Sequence, residues 1–199
     1  MNLRRHARVY FPLCALTAGL TTACGQAPQS AAPAAATPAA APQQSPAERG
    51  KYLVTVMDCN GCHTPMKMGE PDMTRMLSGH PESEGVKMPP KLPSGWATVI
   101  SDSNTEWAGP WGISFTANLT PDQNTGLGIW TEQMFIDAIR KGKHMGTSRD
   151  ILPPMPWAMQ KNLTDDDLKA IFAYLKTIPA IANHVPDPVP PAGAPKSSN

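Results

Sequence analysis

The sequence predicts an all-α domain in which three core helices frame a long ordered loop. Three stretches carry apolar residues at helical spacing together with residues that start and stop helices: 45–56, 131–142 and 164–177. Between the first two stretches, residues 64–130 have little helical period and contain several turn-forming glycines and prolines. This long stretch is therefore expected to form the ordered loop.

The first helix has a clear start. Ser45 is the expected N-cap, Pro46 takes the first helical position and Glu48 the third, which is the pattern of a capping box. The apolar residues that follow at helical spacing are Tyr52, Leu53 and Val56. The helix is expected to run directly into a cysteine motif.

The second and third helices also have recognisable ends. Thr131 is the expected cap of the second helix and Gly142 its stop, with acidic residues early and basic residues late, as the helix dipole favours. The third helix opens after Thr164 with three aspartates, which face the positive end of the dipole. Pro179 follows soon after its expected end.

Composition divides the 199-residue chain into a folded domain and two flanking segments. Its 23 prolines gather in a linker, the middle loops and the tail, so the packed core is smaller than the chain. Residues 24–44, nearly all Ala, Pro, Gln, Ser and Thr, bury too little apolar surface to fold and predict a flexible tether. Residues 184–199 predict a proline-rich disordered tail, which leaves the folded domain at 45–183.

Residues 1–23 are typical of a bacterial export signal, which predicts a periplasm-facing protein. A basic start precedes an apolar run that is shorter than the roughly 20 residues of a spanning helix. Residues 20–24 resemble a lipoprotein processing site, which predicts that Cys24 is acylated and anchors the protein to a membrane. Thr21 stands where that pattern usually has a larger aliphatic residue, and ordinary cleavage nearby is the alternative. Cys14 is lost in either case.

Only two of the four cysteines remain in the mature domain, and both lie in the motif Cys59-Asn60-Gly61-Cys62-His63. This is the attachment pattern of c-type haem. The spacing lets both thiols reach vinyl groups on one side of the porphyrin, and the adjacent imidazole becomes an axial ligand of the iron. The motif predicts one covalent haem c, bound through Cys59 and Cys62 with His63 on the iron.

A zinc site, a redox pair and a plain disulfide each fit the two cysteines less well. A structural zinc site needs four ligands, and no second cysteine pair or closely spaced histidine pair accompanies this one. A thioredoxin-like redox pair belongs in an alternating strand and helix pattern, which is missing here. A plain disulfide would leave the adjacent His63 unexplained.

The order of these elements resembles that of the class I cytochromes c. The resemblance covers the domain from Gly50, through the haem motif, to the closing helix around 168–175. It implies a cytochrome c fold with three core helices around one haem. In that family a glycine of the first helix crosses an aromatic residue of the last, and Gly50 and Tyr174 match those positions.

A narrower resemblance comes from the long middle loop. The stretch at 118–122, Asn-Leu-Thr-Pro-Asp, precedes the helix that opens with Trp130, Thr131 and Glu132. This order is similar to that of extended cytochrome domains that are electron-transfer partners of bacterial periplasmic or membrane dehydrogenases. The resemblance implies that the protein is an electron carrier or the cytochrome subunit of a dehydrogenase complex, not an enzyme by itself.

A second axial ligand is expected from the segment between the second and third helices. Met155 lies between prolines there, at the place where the family carries its ligand methionine. Prolines fix an extended path and lack N–H groups, so such a segment can lie on an apolar haem face without leaving donors unpaired. The alternatives are Met159, Met145, His144 and His80.

Four tryptophans are candidate neighbours of the haem edge: Trp96, Trp107, Trp111 and Trp157. An indole N–H could reach a haem propionate, or each ring could be an ordinary core aromatic.

The expected function is one-electron transfer, with the iron cycling between ferrous and ferric states. A formal net charge of +1 gives no support for a nucleic-acid partner. The expected partners are a dehydrogenase as donor and an oxidase or another cytochrome as acceptor. A haem enzyme, peroxidase-like or sulfur-oxidising, and a haem gas-binding module are the alternatives.

Overall fold

The computed structural model describes residues 44–92 and 94–193, all of which belong to one compact unit, 41–199. The export signal, Cys24 and nearly all of the tether lie outside the described residues, as do 194–199. Among the helices that are described, none combines the length and the apolar character needed to cross a membrane.

Five α-helices form in the described part of the chain, and the three expected core helices are confirmed. They are α1 (Pro46–Val56), α2 (Cys59–His63), α3 (Glu132–Lys141), α4 (Trp157–Gln160) and α5 (Asp165–Leu175). Three short 3₁₀ turns lie at Met73–Arg75, Glu82–Glu84 and His144–Gly146.

The middle loop also contains two small antiparallel sheets, which corrects the expectation of an all-α domain. One is the hairpin of β1 (Met66–Lys67) and β2 (Glu70–Pro71). The second sheet has three strands in the order β3 (Val99–Ile100), β4 (Glu106–Gly109) and β5 (Gly112–Phe115). These strands have two to four residues each, too few for a clear alternating pattern in the sequence.

Helix α1 begins with the expected capping box. The Glu48 backbone N–H donates to Ser45 Oγ, and the Ser45 backbone N–H donates to the Glu48 carboxylate at 2.8 Å. The serine hydroxyl thereby satisfies one of the N–H groups that a helix start leaves unpaired, and the glutamate satisfies the N–H of the cap itself.

Helices α1 and α5 cross at Gly50, as the family resemblance implies. A Cβ atom at Gly50 would lie 1.9 Å from the Ala170 carbonyl oxygen and 2.8 Å from the Tyr174 Cβ. Only glycine lets the two backbones approach so closely, and the predicted crossing is confirmed.

The apolar core lies where α1, α3 and α5 meet. The Phe135 and Phe172 rings pack with their centroids 5.5 Å apart. The other buried apolar side chains of this core are Leu53, Val54, Leu77, Leu127, Ile136, Ile139, Leu168, Ala170, Ile171, Leu175 and Ile178. Met155 and Cys59 are half-buried and pack against the same cluster, which places both candidate haem-binding segments beside the core.

The C-terminal segment stays in contact with the domain beyond the expected boundary at residue 183. Val189 exchanges two backbone hydrogen bonds with Ile113 of β5. The Asn183 side chain accepts from Arg75 and from the Glu82 backbone, and it donates to the carbonyls of Ser78 and His80.

Candidate haem site

The two cysteines lie one turn apart on α2, so their side chains share one helix face. Both are free thiols, half-buried, with no disulfide between them. Burial, followed by the charge of Asp58, raises the pKa of the Cys59 thiol to about 11 and also raises that of Cys62. The thiols are therefore protonated at neutral pH, unlike the low-pKa cysteines of thiol–disulfide enzymes.

The short helix α2 is held in place from both ends. Asp58 adopts the left-handed conformation at its start, with φ of 53°, and its carboxylate packs so closely that a Cβ at Gly61 would lie 2.3 Å from it. The Asn104 amide donates to the Gly61 carbonyl. At the C-terminal end, the Thr64 hydroxyl donates to the Asn60 side chain at 2.9 Å. The turn before β4 thus braces the cysteine motif.

His63 is buried, and its ring is oriented by the backbone. Its exposed fraction is 8%, and Nδ1 lies 2.8 Å from the Ala117 carbonyl oxygen. A carbonyl only accepts, so Nδ1 carries the proton and Nε2 keeps its lone pair. Burial lowers the pKa of His63, which favours the neutral ring. A neutral imidazole with a free Nε2, fixed through its other nitrogen, is the form that binds a metal.

The backbone around His63 is held by a neighbouring segment. The Gly79 N–H donates to the His63 carbonyl at 2.8 Å, and the His80 N–H donates to the Thr116 carbonyl at 2.9 Å. Gly79 has φ of 76°, and a Cβ there would lie 2.4 Å from the Thr116 oxygen. No residue larger than glycine fits between the histidine and the segment that carries Ala117.

Met155 lies in the segment before α4. It is half-buried and packs against the core, whereas Pro154 and Pro156 on either side are exposed. The Ser114 hydroxyl donates to the Pro153 carbonyl at 2.5 Å, which ties this segment to β5. The methionine side chain thus contacts the apolar interior beside prolines that reach solvent.

The alternative ligands differ in how available they are. Met159 is 76% exposed, and His80 is fully buried with both ring nitrogens engaged, Nδ1 with the Thr105 hydroxyl and Nε2 with the Gly85 carbonyl. His144 packs edge-on against Trp130, with centroids 5.2 Å apart. His144 and Met145 are half-buried and stay alternatives to Met155.

The tryptophans have distinct surroundings. Trp96 is 68% exposed, and the Trp157 ring covers Gly142. The Trp111 indole N–H donates to the Ser114 hydroxyl at 3.2 Å. The Trp107 indole nitrogen is buried and has no hydrogen-bond partner among residues 44–92 and 94–193.

These residues fit a covalently bound haem. Two free thiols share a helix face beside a neutral imidazole whose Nε2 is available, and a methionine segment lies against the same core. A zinc site does not fit, since the described residues contain no group of three or more His, Cys, Asp or Glu able to hold a metal ion. Gly79, Asn104 and Ala117 were not singled out from the sequence, because their roles arise from folded backbone geometry.

Similarity to known proteins identifies the family of this chain. The cytochrome c family model matches residues 47–179. The chain is 28% identical to the cytochrome c subunit of a quinone alcohol dehydrogenase from Gluconobacter oxydans, over 70% of this chain and 23% of that protein. It is 29% identical to a fructose dehydrogenase cytochrome subunit from Gluconobacter japonicus, over 65% of this chain and 20% of that protein.

A third relative is a diheme cytochrome c-type protein from Cereibacter sphaeroides, 32% identical over 67% of this chain and 36% of that protein. The chain therefore aligns with only part of the length of these relatives. The family model, in contrast, spans more than half of the chain and includes the cysteine motif, α3 and α5. The chain belongs to the cytochrome c family, whose members carry covalently attached haem c.

Proposed function

We propose that this protein is a monohaem class I cytochrome c that carries one electron at a time. In this proposal Cys59 and Cys62 bind the haem covalently, and His63 and Met155 are its axial ligands. The observation that carries the proposal is the hydrogen bond from His63 Nδ1 to the Ala117 carbonyl at 2.8 Å. It leaves Nε2 free on a buried, neutral ring directly after the two thiols.

Each residue has a defined task in electron transfer. When bound, a haem supplies an iron that takes up and releases a single electron. Ala117 holds the His63 ring and Gly79 holds its backbone carbonyl, which limits rearrangement between oxidation states. Met155 offers a thioether, a soft ligand. It favours the reduced state of the iron more than a second imidazole ligand would. Cys59 and Met155, one from each segment, both pack against the apolar core.

The single cysteine motif supports one haem in this chain. Two of the relatives named above are cytochrome subunits of dehydrogenases, which supports a carrier role rather than catalysis. A dehydrogenase is the electron donor in this proposal, and an oxidase or another cytochrome is the acceptor.

Export and anchoring form a separate part of the proposal. The signal-like segment 1–23 and Cys24 support a lipid-anchored protein that faces the periplasm. The segment 24–44 would then be the tether that lets the domain reach both partners, with a raised local concentration. Replacing Cys24 by Ser should release the haem-loaded protein from membranes without changing its spectrum.

The proposal is tested by the spectra of a Met155→Ala variant. The wild-type ferric protein should show the weak far-red band of methionine-to-iron charge transfer and should bind cyanide slowly. The variant should lose the band, bind cyanide rapidly and have a lower reduction potential.

Two methionines provide matched comparisons. Met159→Ala should retain the band, because that side chain is 76% exposed. Loss of the band in Met145→Ala would assign the ligand there instead. Rapid cyanide binding by the wild-type protein would contradict the proposed carrier and favour a haem enzyme or a gas-binding module.

A further inference from the structure

One buried asparagine outside the cysteine motif uses all of its hydrogen-bonding capacity. Asn183, in the C-terminal segment after α5, is 2% exposed. Its amide nitrogen donates to the carbonyls of Ser78 and His80 at 2.7 and 2.8 Å. Its amide oxygen accepts from the Arg75 guanidinium at 2.8 Å and from the Glu82 N–H at 2.9 Å. An amide has two N–H donors and an oxygen with two lone pairs, so every one of these groups has a partner.

The two carbonyls that Asn183 holds lie on either side of Gly79. The Gly79 N–H donates to the His63 carbonyl, and the N–H of the next residue, His80, donates to the Thr116 carbonyl. Because Asn183 is bonded to both neighbours of Gly79, it restrains the backbone that contacts His63.

The C-terminal segment also contacts the second anchor of His63. Ala117, whose carbonyl accepts from the imidazole, is followed by the buried residue Asn118. The Asn118 amide donates to the Ile181 carbonyl at 2.8 Å. The C-terminal segment is therefore bonded to both backbone segments that hold His63.

The spacing of these two segments determines the geometry at the imidazole. A hydrogen bond weakens steeply when its angle departs from linearity, so the Ala117 carbonyl must keep its place relative to His63 Nδ1. The bond that a histidine makes through its second nitrogen sets the orientation of the ring and raises the basicity of the nitrogen that binds a metal. A displacement of either segment would therefore change how His63 binds an iron.

We propose that Asn183 is a positioning residue for the axial imidazole. It holds the segments of Gly79 and Ala117 at the spacing that fixes the orientation of the His63 ring and its Nδ1 hydrogen bond. Asn183 acts through these two backbone segments. This inference rests on the proposed function, since it requires His63 as an iron ligand. It gives the C-terminal segment a role in the haem site in addition to its contacts with the domain.

The experiment compares the haem-loaded ferric wild-type protein with Asn183→Ala by proton NMR. The spread of the haem methyl shifts depends on the orientation of the axial imidazole plane and should change in the variant. The His63 Nδ1 proton should exchange with solvent about tenfold faster relative to the Ile171 amide of α5, which corresponds to about 1.4 kcal/mol, the net value of one or two hydrogen bonds. The Ile171 amide lies in the buried core helix and reports global unfolding in the same sample.

The reduction potential is a second readout. A weaker hydrogen bond at Nδ1 makes the imidazole a poorer donor to ferric iron, so the potential of Asn183→Ala should rise. The far-red band assigned to Met155 should remain, because the change is confined to the imidazole side. Loss of this band in Asn183→Ala would contradict a role confined to that side.

Two further variants serve as controls. Thr164→Ala removes the cap bond that the Asp167 N–H donates at 3.1 Å at the start of α5, so it destabilises the fold at another place. It should leave the methyl shifts, the exchange ratio and the potential unchanged. Asn183→Ser keeps one hydroxyl, which can donate to at most one of the two carbonyls. It should show smaller changes in the same direction, and it decides the question if Asn183→Ala does not fold.

The outcomes separate this inference from the proposed function. If the wild-type protein carries covalent haem but both Asn183 variants match Thr164→Ala in methyl shifts, exchange ratio and potential, the positioning role is wrong and the carrier proposal stands. If the wild-type protein matures without covalent haem, both are wrong.

Discussion

The imidazole side of the candidate haem site is held by hydrogen bonds, whereas the methionine side is held by apolar packing and by prolines. His63 is fixed at its ring by Ala117 and at its carbonyl by Gly79, both at 2.8 Å. Met155 packs against the core between two prolines, and the bond from Ser114 to Pro153 fastens its segment. Hydrogen bonds therefore hold His63 in one geometry, whereas Met155 can be displaced with fewer broken hydrogen bonds.

The largest effect is expected on the imidazole side, from Gly79→Ala. The new Cβ would collide with the Thr116 carbonyl at a positive φ, which should lower the free energy of unfolding by about 2 to 4 kcal/mol. Urea unfolding of the haem-loaded protein measures the change. Gly69 has a φ of 83° and open space around it, so Gly69→Ala tests the positive φ without a collision. This variant should lower the free energy of unfolding by only about 1 kcal/mol. Equal losses in both variants would show that the close contact is unimportant.

A smaller effect is expected from Asn104→Gly, which removes the amide that braces α2 at the Gly61 carbonyl. Glycine suits the φ of 58° at this position, so the change isolates the hydrogen bond. The free energy of unfolding should fall by about 1 to 2 kcal/mol. Met68→Gly is the matched control, because Met68 has a φ of 53° and is 94% exposed. It should lower the free energy of unfolding clearly less than Asn104→Gly does.

On the methionine side, Pro156→Ala should change rates more than stability. The loss of the proline restraint should cost only about 0.4 to 1 kcal/mol in unfolding free energy. The segment next to Met155 becomes more mobile, so cyanide should bind the ferric protein faster. Pro90→Ala, at an exposed proline of the middle loop, should leave the cyanide rate unchanged. An unchanged rate in Pro156→Ala would remove the proposed role of this proline.

The smallest effect is expected at the surface of the helix crossing, where Arg49 donates to Asp167 at 2.9 Å. This bond holds the pKa of Asp167 below its ordinary value, so its stabilisation is present above about pH 4 and is lost as the pH falls through the lowered pKa. Because both groups are partly exposed, Asp167→Asn should lower the free energy of unfolding only slightly more than Asp166→Asn does, by no more than about 0.5 kcal/mol. Chemical unfolding at neutral pH and near pH 2 should show that this difference disappears in acid.

The sequence predicted the helices well because their signals are local. The capping residues Ser45, Thr131 and Thr164 all accept the expected backbone hydrogen bonds. Gly142 ends α3 in the left-handed conformation, as its position indicates. The crossing at Gly50 came from resemblance, since nothing local distinguishes it from an ordinary weak helix position.

The sheets and the environment of His63 were harder to predict. Strand β4 pairs with β5 across a tight turn, but β3 is only two residues long, and its pairing is not encoded by a local pattern. The partner of the His63 ring is a backbone carbonyl 54 residues away, and any residue type has one. The sequence indicated which side chains carry the chemistry, whereas the groups that orient them depend on tertiary structure.

The proposed covalent bonds between the thiols of Cys59 and Cys62 and a haem beside His63 are tested most directly by mass spectrometry of protein matured in a host that attaches c-type haem. We expect the peptide containing residues 59–63 to carry the added mass of one haem, linked through both cysteines. A peptide of unmodified mass from the folded, matured protein would contradict the claim.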